Sequence, residues 1–210
     1  MDSKRKILVI GPHSDDGELG CGGMMSKRIQ MGHEVHYVVF SACQRSVPSQ
    51  YDPNILREET QCAAFELGIP EGNLSFFDYD VRTFPIHRQD ILEDMWGLQE
   101  RIHPDLVFCP CRNDIHQDHA TIAAEAIRCF KKQSILGYEE PWNNISFQTN
   151  AFEILSNEDL ERKINALMCY KSQEHRPYFN EEAIRSLAVT RGTQLEGGYA
   201  EAFEVIRWML

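Results

Sequence analysis

No apolar run in this chain approaches the length needed to cross a bilayer, so membrane insertion is not expected. Basic residues are too few for a general nucleic-acid or anionic-membrane binder. The formal net charge is -11, and both of those partners require a basic face. That balance still leaves room for one local basic pocket. No CxxC pair occurs among the seven cysteines, which are odd in number and scattered, with Cys109-Pro-Cys111 the closest spacing. They read as reduced, mostly buried thiols of a cytoplasmic protein. The charged start Met1-Asp-Ser-Lys-Arg-Lys6 is followed by an apolar run far too short for a secretory h-region, which agrees with a cytoplasmic location. No internal repeat, low-complexity tract or linker interrupts the chain, so its 210 residues are expected to form a single domain spanning 1–210.

Over the first two thirds, strand-like runs alternate with helical patterns. Strands are expected at Ile7–Ile10, Glu34–Phe40, Leu74–Phe77 and Leu106–Cys109. Helices are expected over Gly20–Met31, from Asp52-Pro53 to Gly68, over Arg88–Ile102 and over His119–Phe130. Ile91, Leu92, Met95, Leu98 and Ile102 set the apolar spacing of the third helix, and Asp52 followed by Pro53 reads as the N-cap and first position of the second. This order predicts an α/β fold: a Rossmann-like three-layer sandwich, its sheet mostly parallel, with helices on both faces. The last third reads differently. Strands fit Ser134–Tyr138 and Ala151–Leu155, and helices fit Asn157–Lys171, capped by Ser156 with Asp159 reciprocating, and Glu181–Thr190, capped by Asn180. The tail Tyr199–Trp208 is apolar enough to dock.

Two clusters carry chemistry. His13, Asp15 and Asp16 directly follow the first strand, and His116-Gln-Asp-His119 follows the fourth. In an open α/β sheet the carboxyl ends of the strands are where ligands bind. If strands one and four are neighbours, the clusters converge. A cap explains one Asp at a helix start but not two in a row behind a His. Two imidazoles and one carboxylate suit zinc with a coordination position left for water, and His13, Asp16 and His119 are the expected ligands. Fe2+ or another divalent ion fits the same donors. Metal binding lowers the pKa of bound water from 15.7 to about 7. Asp15 is then the candidate base, His116 the group that steadies an oxyanion or protonates the leaving group, and Asp118 the residue that orients His116. Gly20-Cys-Gly-Gly23 lacks GxGxxG spacing, and a pyrophosphate there would face Asp15, Asp16 and Glu18. Those glycines are read instead as allowing a tight turn and close helix packing. Two other readings stay open. A mononuclear 2-His-1-carboxylate oxygenase uses the same donor set, and a non-catalytic metal-binding protein would need a fourth protein ligand and a closed site.

Pro12-His-Ser-Asp-Asp16 with Gly20, together with His116-Gln-Asp-His119 preceded by Asp114, resembles the two motifs of the PIG-L/LmbE-like de-N-acetylase family. Arg57-Glu-Glu59 and Arg191-Gly192 followed by Tyr199-Ala-Glu-Ala-Phe203 add weaker likenesses. The resemblance implies a Rossmann-like sheet, one divalent metal, and hydrolysis of an N-acetyl group from an N-acetylglucosamine-type amino-sugar conjugate with release of acetate. It implies the same ligands and the same base, and it points to Arg57, Tyr199 and Glu201 as substrate contacts. The family often forms homo-oligomers, and the aromatic-rich tail would serve that contact. Ser14 and Gln117 stand where the family carries proline, which loosens both loops without removing a reacting group.

Overall fold

The computed structural model describes residues 3–210. Seven strands form one sheet in the order β3-β2-β1-β4-β5-β7-β6. These are β1 (Lys6–Gly11), β2 (Glu34–Val39), β3 (Leu74–Phe76), β4 (Leu106–Pro110), β5 (Ser134–Tyr138), β6 (Ala151–Leu155) and β7 (Tyr199–Arg207). The first five run parallel, and β7 lies antiparallel between β5 and β6. Six helices cover the faces: α1 (Asp16–Gln30), α2 (Ile55–Leu67), α3 (Arg88–Ile102), α4 (Gln117–Cys129), α5 (Asn157–Leu167) and α6 (Glu181–Gly192).

Strand alternation builds the two cores. In β1, Ile7 and Val9 enter a core with Met24 of α1, Leu56 of α2, Leu160 of α5 and Ile184 of α6. Leu8 and Ile10 enter the opposite core with Ile91 and Met95 of α3 and Ile122 of α4. β1 pairs with β4, so the loops after these two strands meet at one sheet edge. The glycines of α1 serve close packing within the helix rather than a turn. A Cβ on Gly20 would stand 2.4 Å from the Tyr138 ring, and one on Gly17 would stand 2.4 Å from the Tyr37 ring.

Several boundaries differ from the sequence-based expectation. α1 begins four residues early, at Asp16, which leaves Asp15 as its N-cap residue. α2 begins at Ile55 behind Asn54, and Asp52 closes a turn by accepting the Asn54 amide at 2.8 Å. α5 stops at Leu167, although its Ser156–Asp159 capping box forms as expected. The tail is an interior strand, and Phe203 on it is buried in the core, leaving Trp208 as the exposed aromatic there. Packing of α2 on α5 brings Cys62 and Cys169 into a disulfide with Cα atoms 6.0 Å apart. The expectation of uniformly reduced cysteines is therefore corrected for this pair, while Cys21, Cys43, Cys109, Cys111 and Cys129 are free. Among the described residues, no helix is long and apolar enough to cross a membrane.

Candidate functional site

The β1–α1 loop presents His13, Asp15 and Asp16, and the β4–α4 loop presents Asp114, His116, Asp118 and His119. His13 Nδ1, Asp16 Oδ2 and His119 Nε2 converge on one point. The separations are 3.1 Å from His13 to Asp16, 3.2 Å from His119 to Asp16 and 3.1 Å between the imidazoles. Donors each about 2.0–2.1 Å from a tetrahedral ion stand about 3.3–3.4 Å apart, so this triangle has the dimensions of one cation's ligand set. All three residues are buried.

Carboxylates fix the orientation of both imidazoles. His13 Nε2 meets Asp118 Oδ2 at 3.0 Å, and His119 Nδ1 meets Asp114 Oδ2 at 2.9 Å. Each ring thus aims one nitrogen outward at a carboxylate and its other nitrogen toward the triangle, the arrangement that would present a lone pair to a bound cation. The Asp118 carboxylate is held in turn by the Arg82 amide at 2.5 Å and the Phe84 amide at 3.2 Å. Arg82 adopts a left-handed backbone at φ 69°, a strained state for a residue with a Cβ, beside the site.

This arrangement corrects the expected role of Asp118. Its carboxylate backs His13, and only its backbone amide touches His116, donating to Nδ1 at 3.2 Å. That contact makes Nδ1 the acceptor and leaves the proton on Nε2. Burial, then His119 and His13, push His116 down to about 4, so its ring is neutral near pH 7.

The field at the centre favours positive charge. Burial opposes ionisation of Asp16, yet His119 and His13 hold its carboxyl well below the usual range. Burial likewise opposes charge on His119 and His13, yet Asp16 and the other carboxylates around them raise both rings. Asp15 behaves oppositely. Burial and the adjacent Asp16 push its carboxyl up, against the pull of Arg176 and His13. Although Asp15 occupies the N-cap position of α1, its side chain caps no amide and instead lines the cleft. Glu18, one turn into α1, is buried away from the cleft. Tyr37 and Tyr170 donate to it at 2.6 and 2.8 Å, and burial pushes it up to about 8.

The cleft holds about 310 Å³ and adds residues the sequence reading missed: Arg82, Glu140, Trp142, Gln173, Arg176 and Tyr178. Glu140 is fully buried at the end of β5. Its Oε2 stands 3.5 Å from His119 Nδ1, and its Oε1 lacks a hydrogen-bond partner. Asp16, His119 and Glu140 form a second group whose donor atoms lie within 4.8 Å of one another, as do His13, His116 and His119. The strand-end rule that flags His13 and His116 would also have flagged Glu139-Glu140 behind the fifth strand. Arg176 and Tyr178 sit in an irregular segment with no motif to announce them.

The three expected substrate contacts lie outside the lining of this cleft. Arg57 stacks on Phe76 at 4.4 Å and bonds Asp78 at 2.6 Å, outside the cleft lining. Glu201 is buried and fully engaged, accepting from the Gly23 and Met24 amides at 2.9 and 2.7 Å and from Lys163 at 2.6 Å. Tyr199 opens β7 opposite Leu155, again outside that lining.

The profile of the PIG-L family, GlcNAc-PI de-N-acetylase, matches residues 8–130. An uncharacterized deacetylase of Escherichia coli K12, YaiS, is 33% identical over 177 residues, 81% of this chain and 93% of that protein. Among solved structures, the N,N'-diacetylchitobiose deacetylase of Pyrococcus horikoshii superposes with a TM-score of 0.80 at 22% identity, covering 97% of this chain and 84% of its own. GalB of Pseudomonas putida KT2440, a 4-carboxy-2-hydroxymuconate hydratase, superposes at 0.79 with 20% identity and 98% of each chain. One sheet therefore hosts both activities, and the likeness at this identity is one of fold.

Proposed function

This chain belongs to the PIG-L family of GlcNAc-PI de-N-acetylases, and on that premise we propose that it is a metal-dependent hydrolase. It removes the N-acetyl group from an N-acetylglucosamine-type conjugate and releases acetate. The observation that carries this reading is the 3.1–3.2 Å triangle of His13, Asp16 and His119, with Asp15 beside it at the N-cap of α1 making no capping bond with its side chain. The donor set and the field that favours a cation fit a divalent metal, zinc first by ligand type, Fe2+ or another divalent ion by the same donors. When bound, such an ion polarises the amide carbonyl and lowers the pKa of a coordinated water to about 7.

The chain's own groups then divide the proton work. Asp15, with its carboxyl raised by burial and Asp16, accepts a proton from the attacking water as the carbon–oxygen bond forms. His116 is neutral with its proton on Nε2, so it donates a hydrogen bond to the developing oxyanion. A neutral imidazole is a poor acid, so the proton needed by the leaving amine comes back from Asp15 as the carbon–nitrogen bond breaks. His116 is thereby assigned to the oxyanion rather than to the leaving group. Asp118 and Asp114 keep the two ligand rings aimed.

The proton-transfer equipment favours hydrolysis over oxygen chemistry, and Asp15 and His116 stand in an open cleft rather than a closed four-ligand site. The test is acetate release by metal-loaded protein from a panel of N-acetylglucosaminyl compounds, with and without chelator. Release that is lost on chelation and regained with divalent metal supports the reading. No release from any member, or release indifferent to chelation, overturns it.

A further inference from the structure

Next to the polar cleft lies a second chamber, also about 310 Å³, enclosed by α1, α5, α6, β6 and β7. Its walls include Leu19, Leu155, Ile184, Leu187, Ala188 and Ala200. The two spaces share one partition, because Trp142 and Tyr178 line both. Their rings stack 3.8 Å apart with planes 6° from parallel, and Trp142 is 38% exposed. Arg176, on the cleft side, donates to the Tyr178 hydroxyl at 2.5 Å.

We propose that this chamber receives an apolar aglycone of the substrate, an alkyl chain or aromatic ring, while the sugar stands in the polar cleft against the Trp142–Tyr178 partition. The proposal rests on the deacetylase reading above. Four charged residues line the chamber, but they neutralise one another in pairs. Lys163 bonds Glu201 at 2.6 Å, and Arg191 bonds Glu139 at 2.9 Å. A charged aglycone therefore finds no net opposite charge. The buried polar atoms are also spent inside the protein. The Lys163 ammonium donates to the Leu19 carbonyl at 2.6 Å, and both Glu201 oxygens accept backbone amides. A further sugar would lose hydrogen bonds to water there without regaining them. An apolar group loses nothing and gains burial. Adjacency to the cleft across one aromatic pair, with Trp142 itself part-exposed, makes a part of the same molecule the fitting occupant.

The test compares kcat/KM for acetate release across methyl, butyl and hexyl glycosides of N-acetylglucosamine. Each methylene that enters the chamber should raise kcat/KM by up to about fourfold. A rise of at least about tenfold from methyl to hexyl is expected in the wild type. Ala188→Phe fills the chamber and should flatten that series, read as the hexyl-to-methyl ratio within the variant. Should Ala188→Phe fold poorly, Ala188→Leu and Ser186→Trp at the same wall serve in its place. A flat series in the wild type, or a slope that survives filling, overturns the proposal. A second arm keeps the two readings apart. Hexyl β-glucoside, which has no amide to cleave, should bind the wild type by calorimetry and bind the filled variant at least about tenfold more weakly. If no glycoside releases acetate while this binding difference holds, the deacetylase reading fails and the apolar chamber stands. If acetate is released but hexyl β-glucoside binds both proteins alike or neither, the chamber proposal fails and the deacetylase reading stands.

Discussion

The two walls of the cleft come from different parts of the chain and are held to different degrees. His13, Asp15, Asp16, His116 and His119 stand on the loops after β1 and β4, within the 8–130 stretch that matches the family profile. Each ligand imidazole there is backed by a carboxylate, and each carboxylate is itself tied to backbone amides. Glu140, Trp142, Gln173, Arg176 and Tyr178 come from beyond residue 130, out of the connections around the antiparallel end of the sheet. That wall holds two buried carboxylate or amide oxygens without partners, Glu140 Oε1 and Gln173 Oε1, and a half-open aromatic pair, whereas the unpartnered groups of the first wall are the Ser14 and Ser46 hydroxyls rather than any ligand or its backing carboxylate. A wall oriented in advance suits bond-breaking, where misplacement is costly in rate. A wall with unspent hydrogen-bonding capacity suits choosing among ligands. On the reading proposed above, the groups that hold the metal and move the proton stand in the part of the chain shared with the family profile, and much of the wall that would select the substrate stands beyond it.

The most severe way to break this division is to alter the ligand triangle. Asp16→Ala removes one donor and the charge that raises both imidazoles, so metal content should fall to near zero and acetate release to background, as measured by elemental analysis and acetate assay. Asp15→Asn should separate binding from reaction. Metal content persists, because Asp15 is not in the triangle, while kcat drops by about 10²–10⁴ for loss of the base. Full activity in Asp15→Asn would move the proton work to the other wall and collapse the comparison.

Much of the first wall was legible from the residues and little of the second. Parallel strands buried on both faces read as apolar runs, and α3 was legible to the residue because Ile91, Met95, Leu98 and Ile102 keep helical spacing up to Pro104. The convergence of the two motif loops followed from one condition, that β1 and β4 be neighbours, and they are. What was not legible depended on tertiary pairing. Nothing local says that β7 inserts between β5 and β6, where Glu201, read as a substrate contact, is bonded to α1 amides and Lys163. Nor does spacing reveal that Asp118, one residue before His119 in the chain, serves His13 across the sheet edge. The glycines of α1 hid its start, because low intrinsic propensity masks a helix that packing against Tyr37 and Tyr138 sustains.

Asp118 sharpens the comparison by testing whether backing matters apart from ligation. Asp118→Ala leaves all three donors in place but frees the His13 ring, so metal affinity should weaken by about 10–100-fold, read by competition with a chelator. The expectation that Asp118 orients His116 predicts something else: unchanged metal affinity with a lower kcat in saturating metal. The two outcomes differ in which constant moves.

Arg57 gives the smallest expected effect. Its guanidinium bonds Asp78, which is largely exposed, and covers the Phe76 ring, so it lies outside the cleft wall. An exposed ion pair of this kind contributes about 0–1 kcal/mol to stability. Arg57→Ala should therefore change kcat/KM by no more than about twofold and destabilise the fold by no more than about 1 kcal/mol, measured by acetate release and urea titration. A tenfold rise in KM with stability unchanged would mean that α2 swings Arg57 onto the bound substrate. The selecting wall would then include a residue from the shared part of the chain, and the division at residue 130 would hold for the metal centre but not for recognition.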